Sequence, residues 1–204
     1  MQEAVINYCR ISYSRQAITG RASERFGNRS QLGLSAPSNV FPCRPRGPND
    51  YVFVYTSRAS NDQWHRLLEV IGRVDLKQDP RFASPEDRAE HLEIIDEMVS
   101  AWTVQRTKTE AMRELGGAGV PAGAVFDTLE LSEDPHLRRR GMFVTVQHAE
   151  RGPFTMPAWP VRMTCSRVPV SPAPLLGQHN HEVYGGLLGL DDAELARLAA
   201  EGVI

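Results

Sequence analysis

His179, Asn180 and His181 form an HNH stretch, the most tempting metal candidate in the sequence, because two imidazoles can share one cation. On a helix, residues two apart point roughly 200° away from each other, so the spacing favours a surface helix start over a shared ion. Arg138, Arg139 and Arg140 could grip a phosphate. They also close a short basic turn, where cations suit the helix dipole, and that reading is favoured. Cys9, Cys43 and Cys165 are widely spaced and suggest neither a disulfide framework nor a zinc knuckle, which makes a reducing, cytoplasmic setting the default. Asp127, Asp134 and Asp191 each stand where a helix is expected to start. There is no G-x-S-x-G elbow, no phosphate-binding loop, no dinucleotide fingerprint and no histidine metal pair at i, i+4.

The elements that must position these residues are clearer than the residues themselves. Gln2 to Tyr13 lacks proline and glycine and reads as a helix that starts at once. The first thirty residues lack the basic region, apolar run and cleavage site of a signal peptide. Thr19 to Pro48 reads as a long irregular loop, and Tyr51 to Thr56 (YVFVYT) as a strand. Ser60 with Gln63 predicts a capping box, followed by the apolar stripe Trp64, Leu67, Leu68 and Ile71. Ser84, Pro85 and Asp87 predict a second helix start, with Leu92, Ile95, Val99 and Trp102 as the buried face of one longer helix. Thr107 and Glu110 predict a third capping box. Trp64 and Trp102 lie on apolar stripes and belong to the core.

Gly119 to Phe126 turns through proline into a short strand, and Asp134 with Pro135 launches the basic turn that ends at Gly141. Met142 to Val146 and Phe154 to Met156 are expected to form a hairpin, sharing an antiparallel sheet with Tyr51 to Thr56. Strands at the ends with helices between them make an α+β module. Val168 to Gly177 (VPVSPAPLLG) is proline-rich and favours an extended strap, and Asp191 with Glu194 starts a last helix. The expected organisation is a linker helix and loop over 1–48, a small α+β domain over 49–160, and a strap with C-terminal helices over 161–204.

With 204 residues, 41% of them hydrophobic, the chain can bury a core of ordinary size. A net charge of -2 argues against nucleic acid as a partner, and no apolar run approaches the length of a membrane span.

The landmarks taken in order are a strand, Gln63-Trp64, DPRF (Asp79 to Phe82), Arg88 with His91, GVPAGAV, DPHLRRRG, a hairpin, and APLLGQHN (Ala173 to Asn180). This order resembles the family III (CaiB/BaiF) CoA-transferases, and in particular their formyl-CoA transferase branch, over almost the whole sequence. The resemblance implies an α/β overall family fold of which this chain is the carboxy-terminal half, with Met1 matching an internal methionine. It also implies that the strap and C-terminal helices pack on a nucleotide-fold large domain, and that two chains interlock as a homodimer.

Family chemistry uses an aspartate that attacks an acyl-CoA thioester and forms a mixed anhydride. That aspartate is expected in the other half, so no catalytic residue is assigned here, and Asp127, Asp134 and Asp191 are not promoted. CoA and acyl-CoA are substrates, a carboxylic acid is the acceptor, and no tightly bound cofactor or metal is implied. By the resemblance, a loop of the small domain covers the reacting centre. Its counterpart is LGLSAP (Leu32 to Pro37), with Leu34, Ser35 and Ala36 as the substrate-binding positions. Family members that transfer formyl-CoA carry a run of glycines there, so the single Gly33 and the Leu34 side chain suit a different or larger acyl group. Two other readings stand beside this one: half of an α-methylacyl-CoA racemase-like enzyme, and a non-catalytic subunit from a truncated or split gene.

Overall fold

The computed structural model describes residues 1–25, 27, 35–166 and 168–204. They form two compact units, Met1–Asp127 and Thr128–Ile204, built from helices and small antiparallel sheets, an α+β composition.

The first unit is organised by a three-stranded sheet in the order β1 (Ser38–Pro42), β2 (Tyr51–Tyr55), β3 (Ala122–Ala124). Strand β2 is central because its alternating Val52 and Val54 are fully buried while Phe53 faces outward at 39% exposure. Both of its neighbours are antiparallel, with Phe41 opposite Val52 and Val52 opposite Ala124. The buried valines pack into one core with Trp64, Leu67 and Leu68 of α3 (Asp62–Val70), Ile95, Val99 and Trp102 of α5 (Leu92–Thr103), and Ala111 and Leu115 of α6 (Lys108–Gly117). Trp64 and Trp102 are core residues, as their spacing predicts.

Four expectations change in this unit. Strand β1 falls inside the stretch read as irregular: SNVFP has weak strand propensity, and its pairing to β2 is a tertiary effect. The helix read over Gln2 to Tyr13 is two helices, α1 (Gln2–Tyr8) and α2 (Arg10–Thr19), which meet at Cys9 and bury no residue. The longer helix after Ser84 is likewise two, α4 (Pro85–Glu90) and α5, which meet at His91. Finally, the Ser60–Gln63 box is absent: Gln63 Oε1 instead accepts from the Ser57 backbone N–H at 2.6 Å. The boxes at Ser84–Asp87 and Thr107–Glu110 are both complete.

The second unit holds α7 (Thr128–Glu133), α8 (Pro135–Arg139), and the hairpin β4 (Phe143–His148) and β5 (Gly152–Pro157). The hairpin is a sheet of its own, so it does not share one with β2 as expected. Thr145 and Thr155 face each other across it, with their hydroxyls 3.0 Å apart. The strap from Val168 has no helix or strand before the turn at Gly177. A π-type helical segment, His181–Leu187, and α9 (Asp192–Ala200) follow, with the Asp191 carboxylate accepting the Glu194 N–H at 2.9 Å. Among the described residues no helix is long and apolar enough to cross a membrane.

Candidate functional site

Of the three loop positions singled out in the sequence, Leu34 lies outside the described residues, whereas Ser35 is half-buried and Ala36 is buried at 1% exposure. The structure shows how this stretch is held. Thr56, directly after β2, donates its hydroxyl proton to the Ala36 carbonyl at 2.8 Å, and its backbone N–H donates to the Pro37 carbonyl at 2.9 Å. Thr56 is itself 1% exposed, so both bonds lie away from competing water. Gln63 on α3 then ties down Ser57, the next residue. On the β1 side, Asn39 donates to Asp96 of α5 at 3.0 Å. The approach to β1 is thus pinned from β2, α3 and α5. Sequence reasoning missed Thr56. A threonine ending a β-branched strand is an ordinary strand residue, and no local pattern marks its hydroxyl as an anchor.

The same unit holds a buried cation whose hydrogen bonds go to neutral acceptors. Arg88 is 1% exposed and donates through one Nη to Asn61 Oδ1 (2.9 Å) and the Phe82 carbonyl (3.0 Å). Its guanidinium also lies 5.3 Å from the Trp64 ring centroid. Burial pulls its pKa below the ordinary arginine value. Asp79, Arg81 and Phe82 of the DPRF landmark form the turn that supplies the Phe82 carbonyl. Of these landmark residues, Phe82 is buried against Trp64 of α3, with ring centroids 5.7 Å apart, and Arg81 is exposed.

The remaining candidates have structural occupations. The Asp127 carboxylate accepts from Asn49 at 2.7 Å, and the Asp134 carboxylate caps α8 through the Leu137 N–H at 2.7 Å. Asp79 is held down to about 2 by the Arg81 side chain and backbone N–H. Glu110 is held down to about 2 by the Thr107 backbone N–H and by Arg44. Burial, reinforced by the Asp50 charge, pushes the Cys43 thiol up to about 11, which disfavours the reactive thiolate. His179 and His181 pair separately, with Glu182 at 3.1 Å and with Asp192 at 3.0 Å, so the structure does not bring them together. Among the described residues no group of three or more histidine, cysteine or acidic side chains is arranged to hold a metal ion. Arg138 turns back on the Ser132 carbonyl at 2.7 Å. The described residues thus offer a rigidly anchored loop exit and a framework around it.

The family model for CoA-transferase family III matches residues 1–180. The chain belongs to CoA-transferase family III. A formyl-CoA:oxalate CoA-transferase of Streptomyces avermitilis is 38% identical over 217 aligned residues, covering 100% of this chain and 52% of its own length. A second, from Streptomyces coelicolor, is 37% identical with the same coverage of both chains. The chain therefore spans about half the length of the curated relatives it matches. In fold it resembles a CaiB/BaiF family protein from Brucella suis, with a TM-score of 0.72 at 21% identity over 88% of this chain and 44% of that one.

Proposed function

We propose that this chain supplies the small α+β domain and the active-site-covering loop of a CoA-transferase. The enzyme moves CoA from an acyl-CoA thioester to a carboxylic acid acceptor. The observation that carries the reading is the 38% identity to a formyl-CoA:oxalate CoA-transferase across the full chain, together with the family match over 1–180. In this reading the chain works with a nucleotide-fold half that carries the attacking aspartate and most contacts to CoA. The segment 161–204 packs on that half, the domain 49–160 backs the loop that presents Leu34, Ser35 and Ala36 to the substrate, and two complete enzymes interlock as a homodimer. CoA enters only as substrate, with no cofactor bound tightly.

The chemistry of that half is nucleophilic. A carboxylate adds to the thioester carbonyl, the C–S bond breaks, CoA thiolate departs, and an acyl–aspartyl anhydride remains. The thiolate attacks the aspartyl carbonyl and releases the donor's acid, and the acceptor carboxylate attacks the resulting aspartyl thioester and frees the thiolate again. The thiolate then attacks the acceptor carbonyl, so that the acceptor leaves as the new thioester and the aspartate is restored. The role of this chain is to close the reacting centre and fix the loop that contacts the acyl group. The single glycine of LGLSAP, with Leu34 beside it, supports an acyl group other than formyl.

The test supplies a nucleotide-fold half, in trans or fused ahead of Met1, and follows new thioesters by mass spectrometry with several acyl-CoA donors and acid acceptors. Transfer by the pair with none by the isolated chain is the expected result. Turnover by the isolated chain, or α-proton exchange without transfer in the pair, overturns the reading.

A further inference from the structure

Two consecutive carbonyls just ahead of β1 are held by a single residue. Thr56 takes both, its hydroxyl donating to the Ala36 carbonyl at 2.8 Å and its backbone N–H to the Pro37 carbonyl at 2.9 Å. Proline has no N–H to offer and its ring fixes φ, so the carbonyls on either side of it are the handles by which the backbone can be held there. Ala36 and Pro37 are buried whereas Ser35 is half-buried, so the chain leaves the core between Ala36 and Ser35. The hydroxyl bond thus fixes the Ala36–Pro37 peptide plane, one residue inside Ser35. Thr56 is in turn fixed from both sides. Before it the Tyr55 N–H donates to the Pro121 carbonyl at 3.0 Å, and after it Gln63 of α3 accepts from the Ser57 N–H at 2.6 Å.

Both bonds lie inside the first unit, since Thr56 and Ala36 are each 1% exposed. Strand pairing does not need the hydroxyl: the β1–β2 ladder runs from Ser38 opposite Tyr55 to Pro42 opposite Tyr51, and the Thr56 N–H already extends it to Pro37. What the hydroxyl adds is control of one carbonyl beyond the ladder, on the side of the loop. We infer that Thr56 is a positioning residue for acyl transfer: given the loop placement proposed above, on which this role rests, its hydroxyl holds the Ala36 carbonyl so that Ser35 meets the acyl group in the reacting geometry. A misplacement of about 1 Å at a substrate-contacting group can cost about 100-fold in rate, so one buried bond is enough to govern turnover. The effect falls on kcat, because in the proposed enzyme most contacts to CoA lie in the other half.

The test uses the complete enzyme, with the nucleotide-fold half joined ahead of Met1, and follows transfer by mass spectrometry, taking rates per folded molecule from circular dichroism. Thr56→Val should lower kcat about tenfold or more while KM for acyl-CoA stays within about twofold, and Thr56→Ser, which keeps the hydroxyl, should hold kcat within about twofold of wild type. In a Ser35→Ala background Thr56→Val should cost no more than about twofold, because the group it positions is gone. A residue that serves stability alone would change the folded fraction and leave both the per-molecule kcat and this coupling untouched. Should valine prevent folding, Gln63→Leu releases the Ser57 N–H with Thr56 in place and should lower kcat about threefold, again only when Ser35 is present. Wild-type kcat in the folded valine variant, or in Gln63→Leu where that variant replaces it, overturns the positioning role and leaves the proposed transfer standing. Equal losses for valine and serine, or additive effects of Ser35→Ala and Thr56→Val, do the same. No transfer by the unsubstituted enzyme overturns the proposed transfer and the positioning role with it.

Discussion

Replacing Thr56 by valine removes one hydroxyl and changes side-chain shape very little, which isolates the bond that fixes the Ala36 carbonyl. Thr56 is 1% exposed and its Oγ1–O distance to Ala36 is 2.8 Å, so water cannot replace the lost donor without opening the core. Leaving a buried carbonyl unsatisfied costs about 1–3 kcal/mol. The backbone bond from Thr56 to Pro37 survives, so the strand end stays in place. Urea unfolding should therefore give a lower midpoint at an unchanged slope, and heating a melting temperature lower by about 2–4 °C for each kcal/mol lost. Thr56→Ser keeps the hydroxyl and loses a buried methyl, costing about 1 kcal/mol. Serine should thus be the milder change even though it removes more apolar volume. If the Thr56→Val variant proves as stable as wild type, or if serine is the more damaging of the two, packing holds this residue and the hydroxyl is not an anchor.

Arg88→Ala should cost about 3 kcal/mol, because it empties a buried site and strands the Phe82 carbonyl, whereas Arg88→Met should cost clearly less; equal losses in urea unfolding would show that volume is irrelevant there. The Cys43 thiol, at about 11, should resist alkylation at pH 8 while exposed Cys9 and Cys165 react, and mass spectrometry showing three equal rates would refute its burial. A folded-state thiol pKa raised from 9.0 to about 11 means that the native chain holds a proton the unfolded chain releases, so this group lowers stability as pH rises through that window. Glu110 has the opposite sign: its depressed pKa gives stability that is present above about 4.5 and is lost as pH falls towards about 2. Glu110→Gln should flatten the acid limb of the unfolding midpoint, and parallel acid limbs for the two proteins would remove the Arg44 and Thr107 contacts from the account.

The parts of the fold legible in the sequence are those decided by neighbours in the chain. The Ser84–Asp87 and Thr107–Glu110 boxes form because cap and partner lie three residues apart, and β2 shows itself through its unbroken run of aromatic and β-branched residues. What escaped was decided across the chain. Strand β1 has an ordinary SNVFP sequence and exists because β2 offers it an edge, with Ser38 opposite Tyr55. Gln63 has the spacing of a capping residue, yet Ser57 takes its side chain from six positions upstream. The hairpin reads correctly as a hairpin, but nothing local says which sheet it joins. Around the candidate site the same division holds: Ser35 and Ala36 came from a resemblance, whereas the Thr56 anchor is a contact between residues twenty apart.

The chain also divides by what its apolar residues do. In the first unit, Phe41, Val52, Val54, Leu67, Ile95 and Leu115 are each no more than 1% exposed, and every one belongs to a single core. Helices α1 and α2 bury nothing, although they carry Val5, Ile6, Ile11 and Ile18, and Leu187 and Leu188 in the second unit are 79% and 65% exposed. Fully burying such a side chain is worth about 1.5–3 kcal/mol, so a handful of them represents binding energy comparable to the stability of a whole domain. Propensity alone is a poor explanation for these helices, since short isolated helices are marginal in water. A covering surface explains both their sequence and their exposure, and the nucleotide-fold half of the proposed enzyme is a surface of the required kind. In the proposed enzyme the core residues set whether the chain folds, and the exposed aliphatic residues set what it folds against.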